Sequence, residues 1–157
     1  MIHIKELFRL QNIHRLRLIA GQDGLERTVT EAVLFEYDPS RVQLPDFYRG
    51  DLVVTTLAYA RGDAKLVAHS LQALMNQGIA GLMVKTAYFS ELPQAVITLA
   101  NRLGTPVFLF DDTYIEEVIL QVTVPYALRR AARAAHLDCS ALTRKALTKQ
   151  LKKAARD

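Results

Sequence analysis

Six side chains in this 157-residue sequence stand where apolar runs stop, and their types could recognise a small polar molecule. Glu36 follows the run ending at Phe35, Thr55 and Thr56 follow Leu52-Val53-Val54, Lys85 follows Ile79 to Val84, and Asp111-Asp112 follows Val107-Phe108-Leu109-Phe110. The carboxylates accept hydrogen bonds from N–H groups, whereas threonine hydroxyls and an ammonium donate to carbonyls. Brought together, the set suits an amide- or urea-rich ligand. Polar strand ends also occur for structural reasons alone, and Asp111 and Thr113 have a competing use as helix caps.

The usual signals of catalysis are absent. The sequence contains no G-x-G-x-x-G, G-x-x-x-x-G-K-[ST], H-E-x-x-H or G-x-S-x-G, so the common nucleotide, zinc and serine-hydrolase motifs fail together. His3, His14, His69 and His136 have no paired metal-ligand spacing, and Cys139 is the one cysteine, which leaves no disulfide framework or thiolate cluster. No metal or cofactor is expected. Asp111 and Asp112 with Thr55 and Lys85 resemble the inventory of a magnesium-dependent phosphoacceptor, but receivers carry the acidic pair early and the lysine late, the reverse of the order here. A small enzyme at the strand ends remains an alternative of a different class.

The elements that must position these groups are legible from periodicity. Residues 49–56 (RGDLVVTT) combine a permissive turn at Gly50, an aspartate able to satisfy a nearby backbone donor, and the continuous apolar character of a strand covered on both faces. Residues 79–84 and 105–110 have the same character. Between them, Leu66, Val67, Ser70, Leu71, Leu74 and Met75, and then Leu92, Val96, Leu99, Ala100 and Leu103, recur at helical spacing. Asp63 and Ser90 are the expected caps of these helices, and Gly78 and Gly104 their ends. Strand, helix, strand, helix, strand with short connections predicts right-handed βαβ units, hence an α/β domain with a mostly parallel sheet of about five strands and helices on both faces. Residues 16–20 and 29–35 supply the remaining strands, and Ile4, Leu7 and Phe8 a short packed helix. In such sheets ligands bind beyond the carboxyl ends of the strands, where Glu36, Thr55, Thr56, Lys85, Asp111 and Asp112 converge.

Half of the residues are hydrophobic and 23% are charged, enough for one real core. No apolar run approaches the roughly 20 residues a membrane helix needs, and the amino terminus lacks a signal-peptide core, so a cytoplasmic protein without membrane contact is expected. The net charge of +4 is unevenly spread: residues 126–157 carry nine Lys/Arg against two Asp, a net +7, and residues 1–125 eleven basic against fourteen acidic groups, a net −3. The expected organisation is an α/β body over 1–123 and a basic helical extension over 124–157. Leu142, Leu147 and Leu151 form a thin seam in that extension, which predicts homodimerisation or linkage to a further domain. The alternative is that the basic tail contacts nucleic acid, which would give affinity falling steeply with salt. Against it, aromatic interleaving beyond Tyr126 and a helix-turn-helix signature are missing.

Three stretches together carry a family resemblance: residues 16–29 (LRLIAGQDGLERTV), residues 48–56 (YRGDLVVTT), and Gly78-Ile79-Ala80-Gly81-Leu82 followed by Leu92-Pro93 and Leu103-Gly104-Thr105-Pro106-Val107. Over roughly residues 1–123 the chain resembles the N-terminal domain of PucR (purine catabolism regulator)-type bacterial transcription factors. More distantly it is similar to DRTGG domains, with Glu26-Arg27-Thr28 at their Asp-Arg-Thr. The resemblance implies a non-catalytic sensor of a small, often nitrogen-rich metabolite that signals to a carboxyl-terminal DNA-binding module. The sequence stops at Asp157, before such a module, so contact with DNA is expected only indirectly.

Overall fold

The computed structural model describes residues 2–10, 13–36, 46–111 and 113–123. Its main sheet has five strands, β2 (His14–Ala20), β4 (Glu31–Leu34), β5 (Asp51–Thr55), β6 (Gly81–Lys85) and β7 (Val107–Asp111), in the order β2-β7-β6-β5-β4. β4 through β7 are mutually parallel, and β2 pairs antiparallel with β7. The expected α/β fold with a mostly parallel five-stranded sheet is therefore present. A small second sheet joins β1 (Ile2–His3) to β3 (Thr28–Val29).

Strict alternation explains how this sheet is covered on two sides. Successive side chains of a strand point to opposite faces. Accordingly Val53, Leu82, Val84, Val107 and Leu109 enter one core, with α1 (Ala64–Asn76) and α2 (Gln94–Leu103) packed over it through Val67, Leu71, Leu74, Val96 and Ala100. Leu52, Val54, Met83, Phe108 and Phe110 enter the other, covered by α3 (Ile115–Thr123) and by Ile4 and Leu7 of a 3-10 helix, Ile4–Arg9. Each fully buried side chain of this size contributes about 1.5–3 kcal/mol. The two crossover helices lie on the same face because the chain steps from β5 to β6 to β7 in one direction across the sheet.

Local signals placed several boundaries. Asp63 Oδ1 accepts from the Leu66 amide at 3.0 Å, the expected N-cap of α1. Asp63→Ala should cost about 1 kcal/mol, a fall of roughly 2–4 °C in Tm for a chain of this size; calorimetry showing an unchanged Tm would remove the cap from the account. Gly104 adopts the left-handed conformation (φ 65) that closes α2.

Two departures from expectation change a cap or a strand partner. α2 begins at Gln94 with Pro93 as its cap, whose carbonyl accepts from Val96 N at 3.0 Å, so Ser90 does not cap it. The single strand expected over residues 29–35 is split at Thr30. Thr28–Val29 pairs with β1, whereas Glu31–Leu34 pairs with β5. At the change of partner, Thr30 N donates to Gly50 O at 2.9 Å. Asp112 and the extension with Leu142, Leu147 and Leu151 lie outside the described residues.

Candidate functional site

Because β4 to β7 run in parallel, Glu36, Thr56, Lys85 and Asp111 are delivered to one edge of the sheet. There they form two groups. The Glu36 carboxylate accepts from both the amide and the hydroxyl of Thr56, the latter at 2.6 Å, which ties the end of β4 to the end of β5. The second group surrounds Asp111. Thr86 Oγ1 donates to Asp111 Oδ1, Thr86 N donates to Phe110 O at 3.0 Å, and Arg15 Nη1 lies 3.5 Å from Asp111 Oδ2. Lys85 projects its ammonium over the Tyr114 ring, 5.6 Å from the centroid.

The second group encloses a cleft of about 320 Å³ lined by Arg15, Lys85, Thr86, Ala87 and Asp111. Glu36, Thr55 and Thr56 are not among its lining residues. The sheet order supplies the reason. In open α/β sheets the crevice opens where the strand order reverses, and here the parallel strands progress across the sheet without reversal. The change of direction occurs instead between β7 and the antiparallel β2, and the cleft lies at that boundary.

Thr55 has a local role. Its side chain is fully buried, and its hydroxyl accepts from Leu57 N at 3.0 Å. Leu57 is itself buried and left-handed (φ 61), a conformation that costs a branched residue of order 1–3 kcal/mol and persists only where the surroundings hold it. The other non-glycine residue at positive φ among the described residues is Arg15 (φ 54). It sits within the register shift between His14 and Arg17 of β2, an irregularity of the kind that re-aims a side chain. Both strained residues are therefore at the carboxyl edge.

Arg15 was not legible as a site residue. Sequence reasoning placed a strand from Leu16 and could not know that its start would lie antiparallel beside Asp111. Tyr114 is likewise not indicated by the sequence, because its contact with Lys85 depends on β6 and β7 ending side by side. Chemically, the cleft offers two cations, one carboxylate and one hydroxyl, a set that can hold a polar ligand by donors and an acceptor at once. Among the described residues no group of three or more His, Cys, Asp or Glu could hold a metal ion. No helix among them is long and apolar enough to cross a membrane.

Residues 6–126, well over half of the chain, match the model of the purine catabolism regulatory protein-like family, PucR. No curated protein matches the chain.

Proposed function

Because the chain belongs to the purine catabolism regulatory protein-like family, we propose that it is the non-catalytic, small-molecule-sensing domain of a cytoplasmic bacterial transcriptional regulator. The observation that carries the sensing part is the carboxyl-edge cleft of about 320 Å³, where Arg15 and Lys85 donate, Asp111 accepts and the Thr86 hydroxyl holds the Asp111 carboxylate in place. A nitrogen-rich metabolite bearing both N–H groups and carbonyls satisfies these groups together. Glu36 and Thr56 close the neighbouring strand ends, and Thr55 holds the Leu57 turn beneath them.

The route of the signal is short. Tyr114, under the Lys85 ammonium, immediately precedes α3, and α3 leads directly into residues 124–157. A ligand that engages Lys85 changes what Tyr114 meets at the start of that helix. In this reading the seam of Leu142, Leu147 and Leu151 pairs two copies, and the paired extension passes the ligand state to a DNA-binding module.

Thermal-shift screening against purine-breakdown intermediates, amino acids and nucleotides tests the reading. A true ligand at 100 times its Kd stabilises by about 2.7 kcal/mol, a rise of roughly 5–10 °C. The rise should vanish in Asp111→Asn and in Thr86→Val. A stabilising ligand that keeps its full effect in both variants would place the sensing site elsewhere.

A further inference from the structure

A second concavity lies at the opposite edge of the sheet. A cleft of about 720 Å³ is lined by Arg27, Thr28, Thr30, Arg49, Gly50 and Thr105, among others. Thr30, Gly50 and Thr105 immediately or closely precede β4, β5 and β7, so the cleft opens at the amino ends of the parallel strands.

Arg27 is held rigidly in it. One terminal nitrogen, Nη1, donates to Ile79 O at 3.2 Å and to Thr105 Oγ1 at 3.3 Å, and the other, Nη2, donates to Leu103 O at 2.7 Å at the end of α2. A guanidinium has five N–H donors. Nε–H and one Nη2–H are thus left without a partner among the described residues. Burial, and then the charge of Arg49, hold the Arg27 pKa below the usual arginine value.

Arg49 is exposed and makes no ion pair or hydrogen bond with any described residue. Among the described lining residues the one carboxylate, Glu26, is engaged by Lys5 at 2.9 Å. A brace for the end of α2 accounts for Arg27 Nη1 and its Leu103 contact. It accounts neither for the spare donors nor for a second guanidinium lining the same cleft, whose described carboxylate, Glu26, is held by Lys5.

We propose that this amino-edge cleft binds a small oxyanion, a phosphate or carboxylate group, between the guanidinium groups of Arg27 and Arg49. The free donors of Arg27 supply charge-assisted hydrogen bonds from a preorganised fork. Arg49 supplies the second charge, and the anion relieves the repulsion between the two. Phosphate and carboxylate share this chemistry, and the hydroxyls of Thr28 and Thr30 at the cleft wall add neutral donors for either. The site stands apart from the sensing cleft, since no residue lines both.

Titration of the full chain with inorganic phosphate, and separately with acetate, at constant ionic strength against chloride, tests the proposal. The expected result is a saturable rise in Tm with at least one of the two anions, the more effective one identifying the group. Arg49→Gln, at an exposed position, should weaken that binding by about tenfold, whereas Arg17→Gln, on the surface of β2, should leave it unchanged. Asp111→Asn should leave it unchanged as well, which separates this site from the sensing cleft. A response to both anions no larger than the chloride response overturns the proposal, and so does an anion response that survives intact in Arg49→Gln.

Discussion

Gly21→Ala is expected to destabilise the protein by about 3–5 kcal/mol, the sum of a left-handed conformation without glycine and an overpacked contact. Gly21 follows β2 at φ 74, and a β-carbon there would stand 1.9 Å from Thr105 O, 2.2 Å from Thr105 C and 2.6 Å from Pro106 N. All three are backbone atoms of the connection entering β7, which cannot swing aside as a side-chain tip would. The Gly21 amide is also committed, donating to Asn101 Oδ1 at 2.8 Å. Gly62 is the internal comparison, because its φ of 81 is similar while no atom lies within 4 Å of its added β-carbon. Gly62→Ala therefore isolates the conformational cost, about 1–2 kcal/mol. In thermal unfolding the two variants should separate, with Gly21→Ala melting roughly 10 °C or more below the parent. Equal losses in the two would show that close approach to Thr105 does not matter.

Phe35→Ala should cost about 3–5 kcal/mol, the range for emptying a buried aromatic site. Phe35 is fully buried, meets the Phe47 ring edge-on at 6.0 Å and the Tyr59 ring at 5.1 Å, and donates its amide to Val54 O at 2.9 Å. Leu34, its neighbour in the chain, is 46% exposed, so Leu34→Ala should change stability by only about 0.5 kcal/mol. Denaturant unfolding of the pair reads the difference directly; similar midpoints would contradict the placement of Phe35 in the core. Against a total stability of about 5–15 kcal/mol, Phe35→Ala alone brings the fold close to its limit. Because Phe35 immediately precedes Glu36, the same substitution also loosens the carboxylate that joins the ends of β4 and β5.

Much of the architecture was legible because it depends on neighbours within a few residues. Leu52-Val53-Val54 is apolar on both sides because both sheet faces are covered, and the two helical stripes bury the positions their spacing marks. Asp51 serves the expected backbone donor, accepting from Tyr48 N at 2.7 Å, and Asp63 and Gly104 act as the expected cap and terminator. Where periodicity misled, a distant partner had intervened. The run over residues 29–35 is one apolar stretch, yet β1 takes its beginning and β5 its remainder, and no local pattern encodes that exchange. Residues 51–55 form an interior strand beside β6, the middle strand of the sheet.

The candidate site divides along the same line. That Glu36, Thr56, Lys85 and Asp111 would reach one edge follows from parallel strands alone, and parallel strands follow from short helical crossovers. That Thr86 and Asp111 would be joined by Arg15 while Glu36 would turn to Thr56 depends on strand order and on the antiparallel course of β2. Element types, their buried faces and the edge that the polar strand ends reach are encoded locally, because side-chain period and capping are set within about one turn or one pleat. Which of those ends meet, where the chain leaves a cleft, and that Arg27 and Arg49 line a second cleft at the other edge emerge only on folding. Those outcomes rest on contacts between residues remote in sequence, such as Gly21 with Asn101 and Arg27 with Thr105, whose existence depends on the packing of the whole sheet.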